Sequence, residues 1–236
     1  MMKQLLRIIV WLLSFAHLTN HNTIYAQCIT TSIPKTIETH KIYLFYLHGG
    51  IVQDEGPHAV SKYYGKYEYY PILDSLSMKG FHVISEVRPK GTNEVEYAKK
   101  ISLQIDTLIS FGVPMQNILI VGASLGAYIA LEVALITKKT QLNYVLIGLC
   151  SKYAIDYYSQ HSDIFQGKFL SIYEKTDTKG SCSKIFTNKR NVEFEEIELN
   201  MGIGHAFLFK PFKDWIEPLT SMGQQLRPKK KHYIKP

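Results

Sequence analysis

Apolar positions along the chain fall into two periodicities. Ile42-Tyr43-Leu44-Phe45-Tyr46-Leu47, Ile118-Leu119-Ile120-Val121, Tyr144-Val145-Leu146-Ile147 and Phe169-Leu170-Ser171-Ile172-Tyr173 are short, nearly continuous apolar runs. Each is bounded by turn-forming residues and is too short for a buried helix, so each reads as a strand covered on both faces. Phe81 to Val87 reads as a further strand, and Phe194 to Leu199 as a last, more exposed one. Between them apolar residues recur at helical spacing. Val95, Ala98, Ile101, Ile105, Leu108 and Ile109 share one face of a helix that Asn93 can cap and that stops at Gly112 and Pro114. Pro71 to Met78, closed by Gly80, predicts a short helix, and Pro211 to Met222 a terminal one packed through Trp215, Ile216 and Leu219. Residues 27–41 read as a polar approach segment and residues 151–166 as a polar connection, partly helical and too short for a cap domain. Strands alternating with helices predict an α/β fold: a mostly parallel sheet with helices on both faces.

One stretch breaks this rhythm. Val52 to Tyr70 is polar and dotted with glycine, and Tyr63, Tyr64, Tyr67, Tyr69 and Tyr70 cluster in it. It reads as a long loop whose tyrosines shape a pocket, or equally as a tyrosine-rich surface patch.

Length and charge narrow the possibilities. With 236 residues, 46% of them apolar and 20% charged, the chain suits one domain with a substantial core. The net charge of +7 belongs to the two ends. Lys3 and Arg7 carry +2 in the first 26 residues, and Arg227, Lys229, Lys230, Lys231 and Lys235 carry +5 in the last ten. Residues 27–226 are therefore neutral overall, which argues against a nucleic-acid partner. The basic tail, residues 227–236, offers only a weak attraction to an anionic surface.

The first 26 residues follow the signal-peptide pattern. A charged start precedes an apolar core from Ile8 to Ala16, then a polar stretch ends at Ile24-Tyr25-Ala26. Cleavage after Ala26 leaves Gln27 first, and the core is short for a permanent anchor. Export to the periplasm or beyond is expected. Lipidation at Cys28 is the alternative, but Tyr25-Ala26-Gln27 is a poor approach to a lipidated cysteine. Cys150 and Cys182 lie near the ends of successive strands; they are placed to pair in an oxidising compartment or to remain free thiols. The cysteine spacings match no metal motif, and no cofactor is expected.

The candidate chemistry starts at Gly122-Ala123-Ser124-Leu125-Gly126, between a buried strand and a helix. A serine on so tight a strand-to-helix turn is lifted above the sheet, and the glycines are what fit beside neighbouring backbone. The helix that follows begins with unpaired N–H groups, which suit a developing oxyanion. His48-Gly49-Gly50 ends an earlier strand, where the N–H of Gly50, with that of Leu125, can form an oxyanion hole; His48 is read as support for that loop. Serine chemistry also needs a base and an acid to orient it. His205, in Gly202-Ile203-Gly204-His205 after the last strand, and Asp177, just past the strand ending at Tyr173, stand in the order and places required. Glu174 is the rival acid, three residues earlier. Cys150 as nucleophile would place the site at the wrong strand.

These segments, from Ile42 to Met222, resemble a compact α/β-hydrolase of the serine hydrolase type. The strand-H-G-G loop, the G-A-S-L-G-A elbow, the Tyr-Glu-Lys-Thr-Asp segment and the Gly-Ile-Gly-His-Ala loop stand in that family's order. The family's first two strands are missing or vestigial, because only the 15 residues 27–41 lie between the signal-peptide pattern and Ile42. The resemblance implies cleavage of a small-molecule ester or amide through an acyl-enzyme. Ser124 would be nucleophile, His205 base and then acid, and Asp177 the carboxylate orienting His205. The alternatives are a non-catalytic ligand-binding scaffold or a surface-associated protein.

Overall fold

A computed structural model describes residues 28–225. Within them seven strands form one sheet: β1 (Ile29–Thr30), β2 (Tyr43–Leu47), β5 (His82–Ile84), β6 (Ile118–Ala123), β7 (Asn143–Ile147), β8 (Gly167–Glu174) and β9 (Val192–Leu199), in the spatial order β1-β5-β2-β6-β7-β8-β9. Every pairing in it is parallel. A two-stranded antiparallel ribbon of β3 (Val60–Ser61) and β4 (Gly65–Lys66) stands apart. The signal-peptide segment and the basic tail expected at the two ends lie outside the described residues.

Side chains that alternate along each strand feed two separate cores. Phe45, Ile118, Ile120, Tyr144, Leu146 and Phe169 face one way, toward helices α3 (Glu94–Ser110) and α4 (Leu125–Thr137). Leu44, Tyr46, Leu119, Val121, Val145 and Leu170 face the other, toward α2 (Tyr69–Met78) and α7 (Lys213–Gln225). Parallel strands need both faces covered because each helical crossover lands on a face, so the runs read as unbroken apolar sequence. Asn93 caps α3 as expected, its side-chain oxygen accepting from the N–H groups of Val95 and Glu96 at 3.1 and 3.0 Å.

The strand order places the site. From β2 the chain moves outward to β5, then returns to the other side of β2 to form β6. At such a reversal the connections on either side diverge and leave a crevice beyond the carboxyl ends of the two strands. The His48 turn ends one of those strands and Ser124 ends the other; Leu47 and Gly122 are paired across them.

Several expectations are corrected. Residues 52–70 are not one loop: α1 (Gly50–Glu55) follows β2 directly, and the β3–β4 ribbon follows it. Helix α1 is six residues long with Ile51 and Val52 adjacent as its apolar side chains, so apolar spacing gave no signal. Tyr67 and Tyr69 are buried core residues, whereas Tyr63 and Tyr70 are exposed. The fifth strand is only three residues long, since the backbone after Ile84 leaves the sheet. The approach segment contributes β1, which pairs with β5. The polar connection is partly helical as expected, holding α5 (Lys152–Ser159), capped by the Ser151 hydroxyl. Val95, expected in the core, is exposed on the first turn of α3. A short helix α6 (Ser183–Phe186) precedes β9.

Candidate active site

Ser124 sits between β6 and α4 with φ 51° and ψ −114°, a conformation that side-chain-bearing residues rarely adopt. Two glycines permit the turn. A Cβ on Gly122 would lie 2.3 Å from the Gly126 carbonyl oxygen, and one on Gly126 would lie 1.8 Å from the Leu47 carbonyl oxygen. The turn is thus wedged against the end of β2. Its register is held by the Ser124 N–H, which donates to the Ile147 carbonyl at 2.8 Å.

The structure brings three of the sequence-predicted residues into one chain of contacts. His205 Nε2 is 3.0 Å from Ser124 Oγ, and His205 Nδ1 is 2.6 Å from Asp177 Oδ2. The Asp177 side chain is 2% exposed and that of His205 17%, so the carboxylate is dry while the imidazole edge remains reachable. Asp177 Oδ1 accepts from the Lys179 N–H at 3.2 Å, which leaves Oδ2 aimed at the imidazole. The loop carrying Asp177 is tied to the end of β7 twice. Cys150 and Cys182 are disulfide-bonded, with Cα atoms 5.3 Å apart, and the Gly180 N–H donates to the Cys150 carbonyl at 3.1 Å. The pairing left open by the sequence is therefore made, and it steadies the carboxylate.

Glu174, the rival acid, does something else. It is fully buried at the end of β8. Its Oε1 accepts from the N–H groups of Met201 and Gly202 at 3.0 and 2.9 Å, and its Oε2 from those of Thr176 and Gly204 at 2.7 and 3.1 Å, together with the Thr176 hydroxyl. Glu174 thus fastens the glycine loop that carries His205 to the strand behind Asp177. Burial raises its pKa, but the Thr176 hydroxyl and the backbone N–H groups lower it further, and the net position is below the ordinary 4.5. A carboxylate with a depressed folded pKa stabilises the fold above its unfolded pKa and loses that contribution as pH falls through the folded value.

Glu174→Gln would set a side-chain NH2 against N–H donors. It is expected to cost about 2 kcal/mol or more of stability at pH 7. Urea unfolding of both proteins at pH 7 and pH 3 checks it: the gap should narrow at the lower pH, which lies below the unfolded carboxylate's ordinary 4.5. A gap independent of pH would show that the charge is not what fastens the loop.

The other expected donors, Gly50 and Leu125, are the first residues of α1 and α4, so their N–H groups have no intrahelical acceptor. They are neighbours: a Cβ on Gly50 would lie 3.5 Å from Leu125 Cδ2, and one on Gly49 3.7 Å from Ser124 Cβ. The turn that presents Gly50 is locked from behind. His48 is buried, with Nε2 accepting from the Arg88 N–H at 3.0 Å and Nδ1 2.9 Å from the Gly49 carbonyl. The Arg88 guanidinium donates from Nη2 to the His48 carbonyl and from Nε to Gln53 at 2.9 Å. Burial first, and the Arg88 charge second, push the His48 pKa down to about 3, so this imidazole stays neutral. The sequence reading gave no role to Arg88, Gln53 or Thr176. An arginine between a strand and Pro89 carries no periodic signal, and its burial follows only from the packing of β5 beside β2.

Above Ser124 lies a cavity of about 190 Å³ lined by Ile51, Tyr64, Tyr67, Leu208 and Phe209 beside His205. Of the five clustered tyrosines, Tyr64 and Tyr67 reach it. Among the described residues, no group of three or more His, Cys, Asp or Glu side chains stands close enough to hold a metal ion.

No protein-family model matches the sequence, and no curated protein is significantly similar to it. Solved structures are similar in fold. A variant of SOBER1 from Arabidopsis thaliana shares 16% identity at a TM-score of 0.52, over 78% of this chain and 99% of that one. An esterase of Pyrococcus furiosus shares 12% at 0.52, over 81% and 86%. The esterase domain of a Rhodothermus marinus protein shares 15% at 0.52, over 81% and 88%.

Proposed function

For a chain that has the α/β-hydrolase fold, we propose the activity of an exported serine hydrolase, cleaving an ester in preference to an amide. The observation that carries the reading is the unbroken contact from Asp177 through His205 to Ser124, ending on a serine whose backbone is held at positive φ beside the first residues of two helices. In this reading His205 takes the Ser124 proton as Oγ attacks the carbonyl carbon, and the N–H groups of Gly50 and Leu125 receive the oxyanion. The imidazolium, steadied by Asp177, returns the proton to the leaving oxygen, and water then releases the acyl group by the same steps. The esterase neighbours favour an ester substrate. Export is supported by the pattern of residues 1–26 and by the Cys150–Cys182 disulfide, which persists in an oxidising compartment.

Fluorophosphonate labelling followed by peptide mass spectrometry tests the reading. Ser124 is expected to label, at a rate lowered about 100-fold or more in His205→Ala, because the general base is lost. A folded protein that does not label would point instead to a ligand-binding scaffold.

A further inference from the structure

A second and larger cavity, of about 400 Å³, begins at Leu125 and runs between α3, α4 and α5. Tyr128, Tyr153, Tyr157 and Tyr158 line it, with the carboxylates of Glu94 and Glu132. These residues come from three helices remote in sequence. Tyr153 and Tyr157 are solvent-exposed and one helical turn apart, their rings parallel to within 9° and 6.2 Å between centroids. Behind them the walls are fixed: the Tyr158 hydroxyl donates to Glu132 at 2.8 Å, and the Tyr128 hydroxyl is 2.9 Å from Ser151 Oγ. Rigid supports under exposed aromatic faces are what a stacking site requires, because the rings lose little freedom when a ligand arrives.

The position of this cleft relative to the reacting atoms says which half of a substrate it would meet. The departing oxygen must lie near His205 Nε2 to receive its proton, so the alcohol half occupies the smaller cavity, which His205 lines. From the same carbonyl carbon the acyl half points away from His205. Leu125 follows Ser124 in the chain, and its side chain lies beside Gly50 and lines the tyrosine cleft.

We propose that this cleft is the acyl-binding subsite and that it selects an uncharged aromatic acyl group bearing a ring hydroxyl. This rests on the serine hydrolase reading. Aromatic rings stack on the tyrosine faces, a phenolic O–H has Glu94 and Glu132 as acceptors, and the same carboxylates repel an acyl group ending in an acid. The reaction is ordinary acyl transfer. Ser124 Oγ bonds to the aryl-acyl carbonyl carbon, the bond from that carbon to the alcohol oxygen breaks, and the alcohol leaves with the proton passed through His205. Water then repeats the exchange and releases the hydroxylated aromatic acid.

The test pairs kinetics with binding. Methyl 4-hydroxycinnamate and methyl butanoate share an alcohol, so the ratio of their kcat/KM values isolates the acyl half. The wild-type ratio is expected to exceed about 10, and the Tyr153→Ala/Tyr157→Ala double variant to reduce it about tenfold. Saturation-transfer NMR on Ser124→Ala should detect methyl 4-hydroxycinnamate, with the signal lost when both tyrosines are also replaced. A wild-type preference for butanoate, or a ratio unmoved by the tyrosine replacements, would overturn the assignment. So would binding of choline or a methyl glycoside at this cleft in place of the aromatic ester. Fluorophosphonate labelling of Ser124 keeps the two readings apart. Labelling without tyrosine dependence removes the subsite alone. Tyrosine-dependent binding without labelling removes the hydrolase, and with it the acyl role of the cleft.

Discussion

Ser124→Ala is expected to lower kcat toward a short-chain ester by about 10⁴-fold or more, with the folded protein retained. The loss is large because, in the proposed mechanism, the one heavy atom removed is the oxygen on which both His205 and the carbonyl carbon act. Nothing around it collapses: the Ser124 N–H keeps its bond to Ile147, and alanine accepts the same backbone angles no worse than serine does. Ser124→Gly separates activity from strain. A residue with a side chain at φ 51° stores about 1–3 kcal/mol, which glycine releases, less the entropy it adds to the unfolded chain. The glycine variant should therefore be inactive and unfold at an equal or higher temperature, by up to about 4 °C. Calorimetry beside a rate assay checks both. A substitution that spares turnover would remove Ser124 as the nucleophile, and a marked fall in melting temperature for the glycine variant would remove the strained turn.

Gly126→Ala is expected to have the largest effect on stability of any single methyl addition in the elbow. The new Cβ would sit 1.8 Å from the Leu47 carbonyl oxygen and 2.8 Å from that of His48. Both are backbone atoms at the end of β2, so no side chain can swing away. Relief requires α4 to part from the sheet or β2 to shift, and either opens a fully packed core around Ala127, Ala130 and Phe45. Overpacking of this kind costs about 3 kcal/mol or more, because interiors at crystal-like density do not yield locally. Expression with urea denaturation, against the wild type, is the measurement. A variant of unchanged stability would mean that the helix does not press on β2 as described. Any folded fraction should also have lost activity, since the displaced carbonyls belong to Leu47 and His48, which set the direction of Gly49 and Gly50.

Some of this is legible without coordinates. The alternation between buried strands and amphipathic helices is a local property, since period 2 and period 3.6 are set by backbone geometry within a few residues. It was enough for the α/β class and for helices on both faces. Helix α1 escaped because it is only six residues long and its buried residues are Val52 and the polar Gln53. The split among the clustered tyrosines escaped for a related reason. Nothing near Tyr67 reveals that its hydroxyl will lie 2.8 Å from that of Tyr46 in the core, while Tyr63, four residues earlier, faces water.

By itself the sequence determined the strand-turn-helix around Ser124, because a glycine-flanked turn between a buried run and a small-residue helix is specified by its own residues. It also determined that a carboxylate and His205 would stand just past strand ends, since those positions follow from where the apolar runs stop. Tertiary structure alone set Asp177, and not Glu174, against His205. Glu174 is the last residue of β8 and Asp177 lies three residues beyond it, and only the packing of the Gly202–His205 loop turns one toward the imidazole and makes the other its fastening. It likewise decided that Cys150 and Cys182 pair, that Arg88 is buried behind the His48 turn, and that tyrosines from separate helices share one cleft. The physical reason is common to all of these. Local pattern fixes backbone conformation, but the partner of a side chain depends on which strand ends are neighbours, and that is set by the order in which the sheet assembles.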